Sequence, residues 1–412
     1  MRILIIYKNK LKLIVLSSLG GAIELYDFIL FAIFATAIGD AFLPAEEKTV
    51  RLMAVFAAFA IGYIARPLGG IIFSHFGDKY TRKKAFLFSI SIIGFATLAI
   101  GLLPSYKTIG IWAPIILLLL RFIQGLAIGG EMPGAITFIA EHIPSHTGFA
   151  CGCLYFFANL GILTAIITKM LLLPFDQSYA WRFAFILGGL LAIISYFLRK
   201  KIAESKIFSQ EKHRHKIPFF ALCKYHPRNI LLAIFISGGH ATSISLLFLY
   251  VVPHMELLGF DAAYVNGLNM LATLIMAIFC LLGGILSDFV RKKYMICLSF
   301  LSLIPLGWLF FSSIANNSFI MPVYVLVSMA AGCVIGPMGG YLAKLFTTDV
   351  RYSGIALCYN LGFAIFGGFS IFLTSWYLKV TGDNMAPFYS LTIILIAASI
   401  AILCSDDSAS EL

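Results

Sequence analysis

GGIIFSHFGDKYTRKK, residues 69–84, and GGILSDFVRKK, residues 283–293, are two versions of one pattern. Each runs from paired glycines through an apolar turn to an aspartate, and then to a cluster of basic residues. Asp78 and Asp288 stand 210 residues apart in a chain of 412, about half its length. A signal repeated at that distance points to an internal duplication. Where the flanking sequence is apolar, it points to a membrane protein built from two like halves.

The surrounding sequence is apolar throughout. The chain is 60% hydrophobic and 12% charged, with a mean hydropathy of +0.95, whereas soluble proteins carry about 25% charged residues. Apolar runs of about 20 residues match a hydrocarbon layer of about 30 Å. Breaks at charges, Pro and Gly predict twelve spans: 12–39, 50–75, 85–104, 110–138, 149–173, 181–199, 228–252, 263–287, 294–314, 319–346, 354–378 and 386–404. The predicted fold class is an all-α membrane protein with twelve transmembrane helices in two pseudo-symmetric six-helix halves. The expected organisation is a first half over 1–200, a middle loop over 201–227, a second half over 228–404 and a short acidic tail over 405–412. The amino-terminal stretch MRILIIYKNKLKLIVLSSLGG has the order of a signal peptide, but its apolar run continues to Ile38, so an uncleaved first span is expected.

With the amino terminus inside, the inner segments hold 22 Lys and Arg and the outer segments hold five. The positive-inside rule therefore predicts both termini in the cytoplasm. This bias and anionic lipid account for the net charge of +11 without nucleic acid. The eight cysteines are scattered and read as small core residues. GGH at 238–240 and HRHK at 213–216 lack companion ligands, so no metal site is expected, and HRHK reads as a solvated charge run. No phosphate-binding glycine loop is present, so ATP is not the driving force. An enzyme is not expected, and neither is a cofactor; a proton gradient is the expected source of energy.

Several charges fall inside the spans, where each costs about 2.5–3.5 kcal/mol unless paired or hydrated. Glu24 lies about 18 Å into span 1, near the midplane, and Asp27 is three residues on, on the same face. Arg121 is at a similar depth in span 4, with Gln124 three residues on. His240 is near the middle of span 7. Glu131 follows Gly129 and Gly130 towards the inner end of span 4, where its expected roles are a proton relay or a pair at the inner gate, with Arg66 of span 2 as candidate partner. Lys169, near the outer end of span 5, is expected to snorkel.

GDKYTRKK resembles the loop signature of the major facilitator superfamily. GGAIELYDF (20–28), RPLGG (66–70), IGLLPSYKTIGIWAP (100–114), RFIQGLAIGGE (121–131), ESKIF (204–208) and VRYSGIALCYN with FGG (350–360, 366–368) narrow the resemblance to its metabolite:proton symporter family, which includes proline/betaine, α-ketoglutarate, citrate and shikimate carriers. The resemblance covers essentially the whole chain. It departs from the family at Thr81 and Arg291, where glycine is usual, at Lys344 and Thr347, where an acid and a proline are common, and at His146, the nearest candidate for an expected arginine. Osmotic gating is not carried over, because SDDSASEL does not resemble the coiled-coil tail of the osmosensing carrier.

The resemblance implies alternating access around a central cavity lined by spans 1, 4, 7 and 10, with Glu24 and Arg121 facing each other across it. Glu24 or Asp27 is then expected to take the proton and Arg121 to hold a substrate carboxylate. Gln124, Tyr26, His240, Tyr359 and Asn360 are expected near the substrate. Asp78 with Arg82, and Asp288 with Lys292, are expected to form latches at the inner face, with Arg66 and Glu131 as further gate residues. The implied function is proton-coupled symport of a small carboxylate-bearing metabolite, a proline- or betaine-like zwitterion being favoured over an α-ketoglutarate- or citrate-like acid. The alternatives are proton-antiport efflux of drugs or metabolites and, more remotely, a transporter-like nutrient sensor. A monomer in a bacterial inner membrane, bathed in lipid, is implied.

Overall fold

The structure, a computed structural model, describes residues 2–43, 48–172, 174–201, 204, 206–210, 215 and 217–405. The tail beyond 405 and most of HRHK (213, 214 and 216) lie outside the described residues. Twelve long helices follow one another. In the first half, α1 is Arg2–Ile33, continued past a break at Phe34 by Ala35–Phe42; α2 is Lys48–Lys79, α3 Arg82–Leu102, α4 Trp112–His142, α5 Thr147–Leu172 and α6 Gln177–Lys200. In the second half, α7 is Pro227–Ile244, continued by Ser245–Leu249 and Val251–Leu257; α8 is Ala262–Leu286, α9 Lys292–Ala315 and α10 Ile320–Lys344. Then α11 is Arg351–Gly362, continued by Phe363–Gly368 and Phe369–Thr381, and α12 is Ala386–Cys404.

Eleven of these helices are long and apolar enough to cross a membrane, and α2, at 32 residues, runs beside them. A helix satisfies its own backbone groups, as a segment in hydrocarbon must. Phe88, Phe95, Phe183, Phe197, Leu298 and Ile393 are exposed on the outside, where water would not tolerate them and lipid does. Polar caps set the ends. Thr81 accepts the Lys84 N–H at 3.2 Å and starts α3. Asp176 accepts the Ser178 N–H at 2.9 Å at the start of α6, and the donors of Ser178 hold its carboxyl below the usual range.

The halves share one packing plan. α1 packs on α5, α2 on α4 and α3 on α6; six helices later, α7 packs on α11, α8 on α10 and α9 on α12. The contacts between halves obey the same shift: α5 meets α8 and α10, and α11 meets α2 and α4. Small residues allow the close approach. A Cβ on Gly148 would lie 2.5 Å from the Gly284 carbonyl, and one on Gly152 would lie 2.7 Å from that of Cys280.

Two departures from the sequence reading stand out. Ser245–Leu249 and Phe363–Gly368 are π-helical turns inside α7 and α11, which apolar periodicity did not reveal. The middle loop, read from the sequence only as a loop, is also partly helical. It holds short helices at Lys206–Gln210 and Pro218–Tyr225, Phe208 is buried beneath the Arg82 guanidinium at 4.4 Å, and His215 pairs with Asp349 at 2.9 Å.

Candidate functional site

Glu24 and Asp27, one turn apart on α1, are both at most 1% exposed and have different partners. Glu24 Oε1 takes a single contact from Arg66 Nη2 of α2, at 3.3 Å. Asp27 Oδ2 accepts from Gln124 Nε2 at 2.8 Å, and Gln124 Oε1 accepts from Arg121 Nη1 at 2.9 Å. Gln124 also donates to Thr97 of α3 at 3.0 Å, and the Arg121 guanidinium stacks on Phe31 at 3.9 Å. The expected pairing of Glu24 with Arg121 is therefore corrected. Arg121 is matched to Asp27, with Gln124 as the bridge.

Register explains the correction. Gly20 of α1 abuts Glu131 of α4. From that level Arg121 is ten residues, about 15 Å, away, Asp27 about 10 Å and Glu24 about 6 Å. Asp27 is the acid closer to the depth of Arg121. Glu131 is corrected too. Its partner is Arg199 of α6, at 2.6 Å, rather than Arg66, and both belong to the first half, so the pair does not bridge the two halves. Arg66 in turn belongs to the midplane. Its guanidinium lies 5.6 Å from the Tyr63 ring and 5.8 Å from that of Phe363 in the second half.

The remaining expected substrate residues divide. Tyr26 donates to the Ala184 carbonyl of α6 at 3.1 Å and packs in the core of the first half, so it does not face the other half. Gln124 spends both ends of its amide on Asp27, Thr97 and Arg121, which makes it a positioning residue. Asn360 Nδ2 donates to the Gly129 carbonyl of α4 at 2.8 Å and fastens the halves together. His240 and Tyr359 do meet between the halves. The His240 ring lies 5.5 Å from Tyr155, 6.1 Å from Tyr359 and 5.3 Å from Phe363. His240 is fully buried, and neither ring nitrogen nor the Tyr155 hydroxyl has a hydrogen-bond partner. Buried polar groups left this way cost about 1–3 kcal/mol each, which suits a place that a ligand or water fills.

At the face carrying 79–84 and 291–293 (the basic face), the two loop motifs do the same thing to opposite halves. Asp78 pairs with Arg82, and its Oδ2 accepts the N–H and hydroxyl of Ser353, at 2.8 and 2.5 Å, in the first turn of α11. Asp288 pairs with Lys292 at 3.0 Å and accepts the N–H groups of Gly148 and Phe149, each at 2.8 Å, in the first turn of α5. Each aspartate thus caps a helix of the other half, where the free N–H groups and the helix dipole favour a carboxylate. Around Asp78 the network extends to Glu141, which contacts Arg82 at 3.0 Å and Arg351 at 3.3 Å. Sequence reading did not single out Glu141, Arg199, Thr97 or Arg351. A charge near a span end, as in Glu141 and Arg199, was the available signal.

The family model described as Major Facilitator Superfamily matches residues 16–371. A putative proline/betaine transporter of Staphylococcus aureus (strain COL) is 31% identical over 409 residues, covering 96% of this chain and 88% of that protein. The inner membrane metabolite transport protein YhjE of Escherichia coli (strain K12) is 32% identical, covering 93% of this chain and 92% of its own. Among solved structures, the proton:xylose symporter XylE aligns with a TM-score of 0.79 at 15% identity, over 96% of this chain and 94% of that one.

Proposed function

We infer that this chain, which belongs to the Major Facilitator Superfamily, is a proton-coupled importer of a small zwitterion that carries a carboxylate, of the proline or betaine kind. The observation that carries the reading is the Glu24–Arg66 pair. It is buried, it consists of one contact at 3.3 Å, and both Glu24 Oε2 and Arg66 Nε lack a partner. Arg66 also touches a ring of the opposite half. A substrate carboxylate arriving between the halves can compete for this guanidinium with a forked contact, the geometry that arginine favours.

The chemistry follows from burial. A carboxylate deprived of its counter-ion in a dry site is strongly disfavoured, and protonation is its cheapest relief. Substrate on Arg66 therefore drives a proton onto Glu24, and the loaded site carries less charge than it would with an ionised Glu24. Release of substrate restores the pair and expels the proton. The Asp27–Gln124–Arg121 chain holds a second, bridged charge pair one turn further along α1, which keeps that face of α1 fixed against α4.

Alternating access needs two states of similar energy. Here the Asp78 and Asp288 caps close the basic face, and breaking both is the step that opens it. The Lys and Arg bias supports a cytoplasmic position for that face. The names of the relatives from Staphylococcus aureus and other bacteria support a proline- or betaine-like substrate and a bacterial inner membrane.

The test is uptake in proteoliposomes under an imposed inward-acid gradient, with labelled proline, glycine betaine, α-ketoglutarate and citrate offered in turn. Gradient-driven accumulation of proline or betaine is expected. Accumulation of the dicarboxylate or tricarboxylate instead would reassign the substrate class. Substrate efflux coupled to proton entry would replace import with antiport.

A further inference from the structure

Glu131 and Arg199 are fully enclosed in the first half, and nothing in the cycle above uses them. Arg199 donates Nη1 to Glu131 Oε1 at 2.6 Å, Nε to the Leu16 carbonyl at 3.0 Å and Nη2 to the Ser17 carbonyl at 2.8 Å. It also stacks on Phe86 at 3.9 Å. Glu131 Oε2 accepts the Ser89 hydroxyl at 2.5 Å. Four helices, α1, α3, α4 and α6, meet at this one ion pair. A buried pair is a poor fastener, because apolar residues of similar volume hold a core as well or better.

The surroundings give the pair a direction. Gly20 lies directly against it, and any side chain there would collide with Arg199 Nη2 and Glu131 Oε1. Gly20 and Glu24 share a face of α1, one turn or about 6 Å apart. Towards the basic face the hydroxyls of Ser17 and Ser18 on α1 are buried, and neither has a partner. Hydroxyls left open in this way can pass a proton between neighbours or to a water. The ionisable groups facing Glu131 are Arg199 from α6, Glu24 from α1 and Tyr352 from α11, with the Ser89 hydroxyl from α3.

We propose that Glu131, held by Arg199, is the station through which the proton on Glu24 leaves for the basic face, inside the first half and apart from the substrate route. The proton passes from the Glu24 carboxyl, directly or through a water, to the Glu131 carboxylate. Glu24 returns to its anion and re-pairs with Arg66. Glu131 then gives the proton up towards the serines and regains Arg199. The proposal rests on the reading of Glu24 as proton acceptor, and the experiment separates the two.

Reconstituted protein is compared as the natural chain, Glu24→Gln, Glu131→Gln, and Glu131→Gln combined with Arg199→Gln. The double substitution leaves a neutral hydrogen-bonding pair that satisfies a purely structural role. Two readouts are taken with the substrate found by the uptake test: counterflow at equal pH, which needs no net proton movement, and gradient-driven uptake with a pH dye inside the vesicles. The relay predicts counterflow within about twofold, with dye signal and net uptake down about tenfold or more, in Glu131→Gln and in the double variant. Normal net uptake in the double variant, while Glu24→Gln has lost it, overturns the relay and leaves the Glu24 reading intact. Normal net uptake in Glu24→Gln overturns both. Loss of counterflow together with net uptake in both Glu131 variants makes the pair a structural element and also overturns the relay.

Discussion

The first six helices bury Glu24, Asp27, Arg66, Asp78, Arg82, Arg121, Glu131, Glu141 and Arg199, whereas among the described residues of the last six only Arg351 is a buried carboxylate or strong base. The packing plan of the two halves is nevertheless the same, helix pair for helix pair. A duplicated scaffold has thus kept its geometry and divided its chemistry. One half holds ionisable groups in dry surroundings, and the other presents rings, His240 and hydroxyls to the gap between them. Charge is concentrated where a proton has to be taken and released. The opposite wall needs only shape and hydrogen bonds.

The sharpest way to break this contrast is to remove one polar group from each wall. Arg66→Ala leaves Glu24 buried without its partner and is expected to lower the stability of the detergent-solubilised protein by about 3–5 kcal/mol. Adding Glu24→Gln should recover most of that loss. In the second half, His240→Phe deletes two nitrogens that have no partner and is expected to cost no stability and to raise it by about 1–3 kcal/mol or more, while weakening substrate binding. Thermal unfolding and substrate titration measure both. Equal destabilisation by the two substitutions would erase the asymmetry.

The latches give a finer test. Asp78→Asn removes a fully buried carboxylate from the first turn of α11, which is expected to cost about 1.5–3 kcal/mol. Asp288→Asn acts on a side chain that is 6% exposed, pairs with Lys292 and caps Gly148 and Phe149, and a comparable loss of about 1.5–3 kcal/mol is expected. Hydrogen exchange at the amides of Tyr352 and Ser353 in the first case, and of Gly148 and Phe149 in the second, reports the opening of each cap directly. The last test concerns glycine. Gly284→Ala meets the Gly148 carbonyl at 2.5 Å, a backbone atom, whereas Gly70→Ala meets first the amide of Asn360 at 2.7 Å, a side chain that can turn. Transport is expected to fall more for Gly284→Ala, by about 1–3 kcal/mol of misfit, than for Gly70→Ala.

How much of this was legible follows from what sequence encodes. Twelve apolar runs and two copies of the loop motif carried the fold, because hydropathy and period are local properties. The same holds for Asp78–Arg82 and Asp288–Lys292, which are i,i+4 neighbours on one chain. Partners on different helices depend on rotation and register, which a single sequence does not encode. Span limits uncertain by three residues shift depth by almost a turn, enough to give Glu24 the arginine that belongs with Asp27. Rotation about α1 likewise turned Tyr26 towards Ala184 and away from the gap. Glu141 escaped notice because its partners, Arg82 and Arg351, come from α3 and α11. The π turns lie in apolar sequence without proline, so nothing marked them.

The central claim is that substrate takes Arg66 and hands Glu24 a proton. Difference infrared spectroscopy of the reconstituted protein tests it most directly, with substrate added at neutral pH and the carboxylic C=O stretch followed. A new protonated-carboxyl band that appears with substrate and is absent in Glu24→Gln is the predicted result. No band on saturation with a transported substrate, or a band that survives Glu24→Gln unchanged, contradicts the account.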